Sequence, residues 1–137
     1  MAKFARLTRA VLAGSRGLFM VLLILPTQAI AQDASDMTDA ELIQQTVFET
    51  LTESDSDKAA LTTVDDPLIV RDHAIATWLL GEAGGMMILE QQSPDEWVII
   101  CGDGGLLDAA AMVSYCGMSQ GDADALWSAW LAADALN

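Results

Sequence analysis

The stretch AIATWLLGEAGGMMILEQQSPDEWVIIC, residues 74–101, decides the fold. It contains three apolar runs, Ala74 to Leu80, Gly85 to Gln92 and Trp97 to Cys101. Gly81-Glu82-Ala83-Gly84 and Ser93-Pro94-Asp95-Glu96 separate them. Short runs of this composition with Gly/Pro-containing turns between them read as an antiparallel meander. Four-residue turns would pair Leu80 with Gly85 and Gln92 with Trp97, placing Ile88 between Thr77 and Cys101. That register puts Ala74, Ala76, Trp78, Leu80, Met87, Leu89, Val98 and Ile100 on one face, which is a core face. His73, Ile75, Thr77, Leu79, Met86, Ile88, Trp97, Ile99 and Cys101 share the other. The second face is also too apolar for solvent, so it is covered by helices or lines a pocket or a partner surface.

Working outward, Leu61 to Val64 and Leu68 to Arg71 read as two further short strands, broken by Asp65-Asp66-Pro67. Upstream, Thr38 with Glu41 three residues later is a capping box, and Met37 with Leu42 a hydrophobic staple. Ile43, Val47, Phe48 and Leu51 continue one stripe at helical spacing to about Thr52. Glu53-Ser54-Asp55-Ser56-Asp57 carries acids like the start of a calcium loop. Lys58 stands where the loop needs Gly, however, and Val64 where it needs its bidentate Glu, so it reads as a solvated turn. Downstream, Leu106 to Tyr115 reads as a helix stopped by Gly117. Ser119 and Asp122 cap another that runs to about Leu136, with Ala123, Leu126, Trp127, Trp130 and Leu131 on its apolar side. The expected class is α+β: an N-terminal helix, an antiparallel meander of four to five strands and two C-terminal helices in one small domain.

The first 31 residues have the parts of a secretory signal peptide. Lys3, Arg6, Arg9 and Arg16 precede the apolar run Leu18 to Leu25, Pro26 stops it, and Ala29-Ile30-Ala31 supplies small residues for cleavage. The run is far shorter than the roughly 20 apolar residues of a spanning helix. The expected product is a periplasmic domain of residues 32–137 that does not span the membrane. It keeps all 20 acidic residues against only Lys58 and Arg71, a formal charge of −18. Such a field repels nucleic acid and anionic lipid and favours cations, as bound metal or as a basic partner.

Chemistry-bearing residues are few. In an oxidising compartment Cys101 and Cys116 make a disulfide natural. Two readings stay open here. A ten-residue helix between them would be about 15 Å long, whereas a bridge needs Cα atoms within about 7 Å. A flexible link over Gly102 to Gly105 could bring the far end back, or Cys101 could remain a thiol for a soft metal. Met86 shares a face with Cys101, and the pair has the softness Cu(I) prefers. His73, the only histidine, lies roughly 16 Å from Cys101 in the expected register, too far for a Cys-His catalytic pair. It reads as a residue at the start of a strand, held by Asp72 or by backbone. Cys101-Gly102-Asp103-Gly104-Gly105 reads as a tight strand-to-helix turn with Asp103 capping the following helix. No Ser-His-Asp set or zinc spacing is present, and no catalytic residue is assigned.

Val70 to Trp78, Gly84-Gly85, Glu96 to Asp103 and Leu107 to Ala110 together resemble small exported bacterial proteins known as copper uptake system-associated proteins. The D-H-A-x-A-x-W and W-x-x-x-C-x-G-D elements carry the resemblance, which spans about residues 40–135. It implies association with copper uptake and singles out His73, Trp78, Gly85, Trp97, Cys101 and Asp103. Met86 and Met87 stand where relatives tend to have a basic residue after Gly-Gly. The expected function is a non-enzymatic accessory of copper uptake that binds the metal or a membrane transport partner. The metal set would be Cys101, Met86 and His73. The alternatives are an interaction or inhibitor module using the apolar second face, and a small hydrolase or isomerase with a cone-like pocket.

Overall fold

The computed structural model describes residues 37–137. The expected signal peptide, its expected cleavage site and the polar leader through residue 36 lie outside the described residues. The elements run α1 (Asp39–Thr52), α2 (Ser56–Leu61), β1 (Thr62–Val64), β2 (Leu68–Val70), β3 (His73–Leu80), β4 (Ala83–Ser93), β5 (Glu96–Asp103), α3 (Ala109–Cys116) and α4 (Gln120–Asp134). The class is α+β, with a five-stranded antiparallel sheet.

α1 starts where its capping box places it. The Thr38 hydroxyl accepts from the Glu41 N–H, and the Glu41 carboxylate accepts from the Thr38 N–H at 2.8 Å. The Thr38 N–H, together with the Thr38 hydroxyl donating at 2.9 Å, holds the Glu41 carboxyl below the usual carboxylate range. The Glu53 to Asp57 turn is the start of a short helix not expected from the sequence: the Asp55 carboxylate caps α2 by accepting from Asp57 and Lys58 N–H. Lys58 pairs with Glu53 at 2.6 Å.

β3 is the hub of the sheet. β4 pairs along one side of it, while β1 and β2 share the other, β1 against Trp78 to Leu80 and β2 against His73 to Ile75. Asp65-Asp66-Pro67 interrupts this shared edge, where proline has no N–H to give to a ladder.

The register differs from expectation at the turn between β3 and β4 and along β4 and β5. The turn between β3 and β4 has two residues, Gly81 and Glu82, and Leu80 pairs with Ala83. Gly81 takes φ +62°, the conformation a two-residue hairpin turn asks of its first residue. Gly84 and Gly85 are therefore strand residues, and Gly85 lies opposite Trp78. The slip is two residues, so the faces of β3 and β4 are unchanged. The second difference does change faces. Ile88 pairs with Cys101 but Leu89 pairs with Ile99, so Ile100 is an unpaired extra residue, a β-bulge. Trp97 and Ile99 consequently join the first face, with Ala74, Ala76 and Leu89, under α1. Cys101 stays on the second.

Both faces are covered. Ile43 and Val47 of α1 pack on Ala74, Ala76, Leu89 and Trp97. On the other side Leu107, Met112, Met118, Ala123 and Leu126 pack on Ile75, Met86 and Ile88. Small Ala74 and Ala76 let α1 approach, and both are fully buried. Leu131, expected on the apolar side of α4, is instead exposed, while its neighbour Trp130 packs against the core.

The two strand tryptophans differ in hydrogen bonding. Trp97 is buried and its indole N–H donates to the Asp39 carboxylate at 3.1 Å, tying β5 to the start of α1. The Trp78 indole N–H is buried without a partner. A buried unpaired donor costs about 1–3 kcal/mol. Trp97→Phe should therefore destabilise the domain by about 1 kcal/mol more than Trp78→Phe. Urea midpoints of the two variants test this, and equal losses would contradict it.

Candidate functional site

Cys101 and Cys116 form a disulfide, with Cα atoms 5.2 Å apart across a separation of 15 residues. Three features make this possible. The bulge turns Cys101 toward α3, the link from Gly104 to Asp108 lets the chain reverse, and α3 is only eight residues long. Asp108 caps α3, its carboxylate accepting from the Ala111 N–H at 2.8 Å. The cap of α3 is thus Asp108 in place of the expected Asp103, and Asp103 ends β5 opposite Met86. A helix start already filled by its own carboxylate is a poor place for an anion.

The structure separates the metal set suggested by the sequence. Cys101 is oxidised, and Met86 is fully buried under α3 and α4. His73 is buried at the start of β3, opposite Glu90, with its Nδ1 3.1 Å from the Asp72 carboxylate. The corrected register brings His73 to roughly 12 Å from Cys101, still two strands away. Cu(I) requires thiolate or thioether lone pairs on a common space, and these residues do not offer one while the disulfide is closed. Among the described residues, no group of three or more His, Cys, Asp or Glu could hold a metal ion. Of the other positions singled out by the resemblance, Trp97 is a core residue and Gly85 a strand residue behind Trp78.

Two constellations escaped the sequence reading. The first surrounds the turn between β2 and β3. Arg71 holds φ +57°, a strained conformation for a residue with a side chain, and reaches Asp122 at the start of α4 at 3.2 Å. The Asp122 carboxyl is held below its usual range, first by the hydroxyl of Ser119, which donates to it at 2.7 Å, and further by the charges of His73 and Arg71. The second is a cleft of about 490 Å³ between the broken sheet edge and the end of α4, reaching Asp65, Asp66, Ile75, Thr77, Trp130 and Asp134. These residues come from three distant parts of the chain, and no local motif announces them.

No family model, curated protein or solved structure matches the chain. No helix among the described residues is long and apolar enough to cross a membrane.

Two outcomes follow from this geometry. Native protein should show no thiol reactive to a chromogenic disulfide reagent, and two after reduction in denaturant. Cys116→Ser should cost about 3 kcal/mol, the value for a closed loop of this length. A stable, fully thiol-reactive native protein would contradict the bridge. The lowered Asp122 carboxyl also fixes a sign. Its contribution is present above the ordinary Asp value near 3.9, and is lost as pH falls through the lower folded value. The urea midpoint should fall in that acid window, and Asp122→Asn should flatten the fall.

Proposed function

We propose that this chain is an exported accessory protein associated with copper uptake, and that it acts by engaging a transport partner rather than by carrying copper on Cys101. The observation that carries the reading is the Cys101–Cys116 disulfide. Disulfides persist in oxidising compartments and are rare where thiols are kept reduced. The bridge therefore supports export independently of the signal-like N-terminus. It also occupies the one thiol that the resemblance would offer to copper. The link to copper uptake itself rests on the D-H-A-x-A-x-W and W-x-x-x-C-x-G-D elements over Asp72 to Trp78 and Trp97 to Asp103.

The alternative of an interaction module working through the second sheet face gains less support, because α3 and α4 cover Ile75, Met86 and Ile88 of that face. A partner would meet the outer surfaces instead, which are strongly acidic. A basic periplasmic loop of a membrane transporter has the complementary charge.

The test has two arms. Anaerobic titration of the oxidised domain with Cu(I) should show no site tighter than micromolar. Tight stoichiometric binding would instead make the protein a copper carrier. Deleting the gene should lower cellular copper accumulation under limitation, with restoration by the wild-type gene. Unchanged accumulation would remove the copper assignment altogether.

A further inference from the structure

The cleft beside the broken sheet edge has a chemistry of its own. Its walls come from two sides. Asp65 and Asp66 stand on the connection between β1 and β2, and Asp134 is the last residue of α4. The two sheet-side carboxylates are fixed in place. Asp65 accepts from the Thr77 hydroxyl at 2.9 Å, and Asp66 from the Gln44 amide at 3.2 Å. Asp134 stands where the helix macrodipole is negative, and no basic residue occupies that last turn. A carboxylate there opposes the dipole, so helix stability does not explain its presence. Lys58 and Arg71, the only Lys or Arg among the described residues, pair elsewhere with Glu53 and Asp122. None of the residues lining the cleft is basic.

Leu68, Ala133 and Trp130 add apolar lining beside the carboxylates, with the buried Ile75 behind them. The Trp130 ring is locked in place by stacking on Trp127, with centroids 5.1 Å apart and planes 7° from parallel. A rigid indole beside carboxylates attracts organic cations through its ring face as well as through charge. The volume, about 490 Å³, falls in the range of small-molecule sites. The carboxylates are too dispersed for one metal ion, since no three acidic, His or Cys side chains converge among the described residues. Dispersed acids with an apolar strip beside them match a ligand whose positive charges are separated by methylene groups.

We propose that this cleft binds an aliphatic diamine or polyamine, its ammonium groups on Asp65, Asp66 and Asp134 and its methylene chain against Leu68 and Trp130. This site is independent of the copper reading, and either can fail without the other.

The probes are spermidine and 1,5-diaminopentane, titrated into the oxidised domain at fixed ionic strength and followed by calorimetry and by the indole N–H resonance of Trp130. The expected result is saturable binding of one molecule with a Kd below about 1 mM, accompanied by a shift of the Trp130 signal. Asp65→Asn with Asp134→Asn should weaken binding at least about tenfold, because two carboxylates no longer pair with the ammonium groups. Trp130→Leu should weaken it several-fold. Asp57→Asn with Asp95→Asn removes the same charge far from the cleft and should leave the affinity within about twofold. Equal weakening by the cleft and remote pairs would mean diffuse counter-ion attraction and overturn the proposal. So would an unshifted Trp130 signal in the wild-type protein, or no saturation by about 10 mM amine.

Discussion

A single extra residue in β5, Ile100, divides that strand between the two layers of the molecule. Before it, Trp97 and Ile99 turn toward α1; after it, Cys101 turns toward α3. Without the bulge the period of two would keep Trp97 and Cys101 on one face. The disulfide partner on α3 would then lie across the sheet, and Trp97 would lose Asp39. The layered core, the indole bond and the bridge thus depend on one local irregularity. Bulges re-aim side chains in this way and are common on edge strands, and β5 is an edge of this sheet.

The two layers are different in kind. On the α1 side, a capped helix packs over small and large strand residues in alternation, with its start fixed by the Thr38–Glu41 pair and by Asp39 reaching Trp97. On the α3 and α4 side, the packing relies on Met86, Met112 and Met118, flexible side chains that fill irregular space. A layer built on such adaptable side chains gains from a covalent tie. The bridge supplies one between β5 and the end of α3, next to Gly117, where the chain turns into α4. The buried methionines are accounted for by this packing.

What could be read from the sequence followed the local rules. The Thr38 capping box, the stripe of Ile43 and Val47, the strand-breaking Asp65-Asp66-Pro67 and the stop at Gly117 all act within a few residues. The misreadings have a common origin in geometry that competes with such rules. Gly84-Gly85 has turn composition, yet Gly81 alone supplies the positive φ the hairpin needs, so the other two extend β4. A Cβ on Gly84 would stand 3.1 Å from the Trp78 carbonyl oxygen as well as 2.8 Å from the tip of Leu79, which gives that glycine a packing reason instead of a turning one. Asp103 and Asp108 are both plausible caps, and only the length of the link chooses between them. The bulge at Ile100 leaves no local mark, because Ile99, Ile100 and Cys101 suit either face. The amine cleft was invisible for a different reason: Asp65, Thr77, Trp130 and Asp134 meet only after the chain has folded.

The bridge also makes residues 101–116 a closed ring, and this matters wherever proteases are abundant. The exposed segment of that ring, Gly104 to Leu106, is the kind of loop that proteases cut first. A cut there would open the backbone without dividing the molecule. The fragment containing α3 and α4 would stay joined to the sheet through sulfur, with its buried residues still in place. A vulnerable loop enclosed by a disulfide turns a severing event into a tolerated nick.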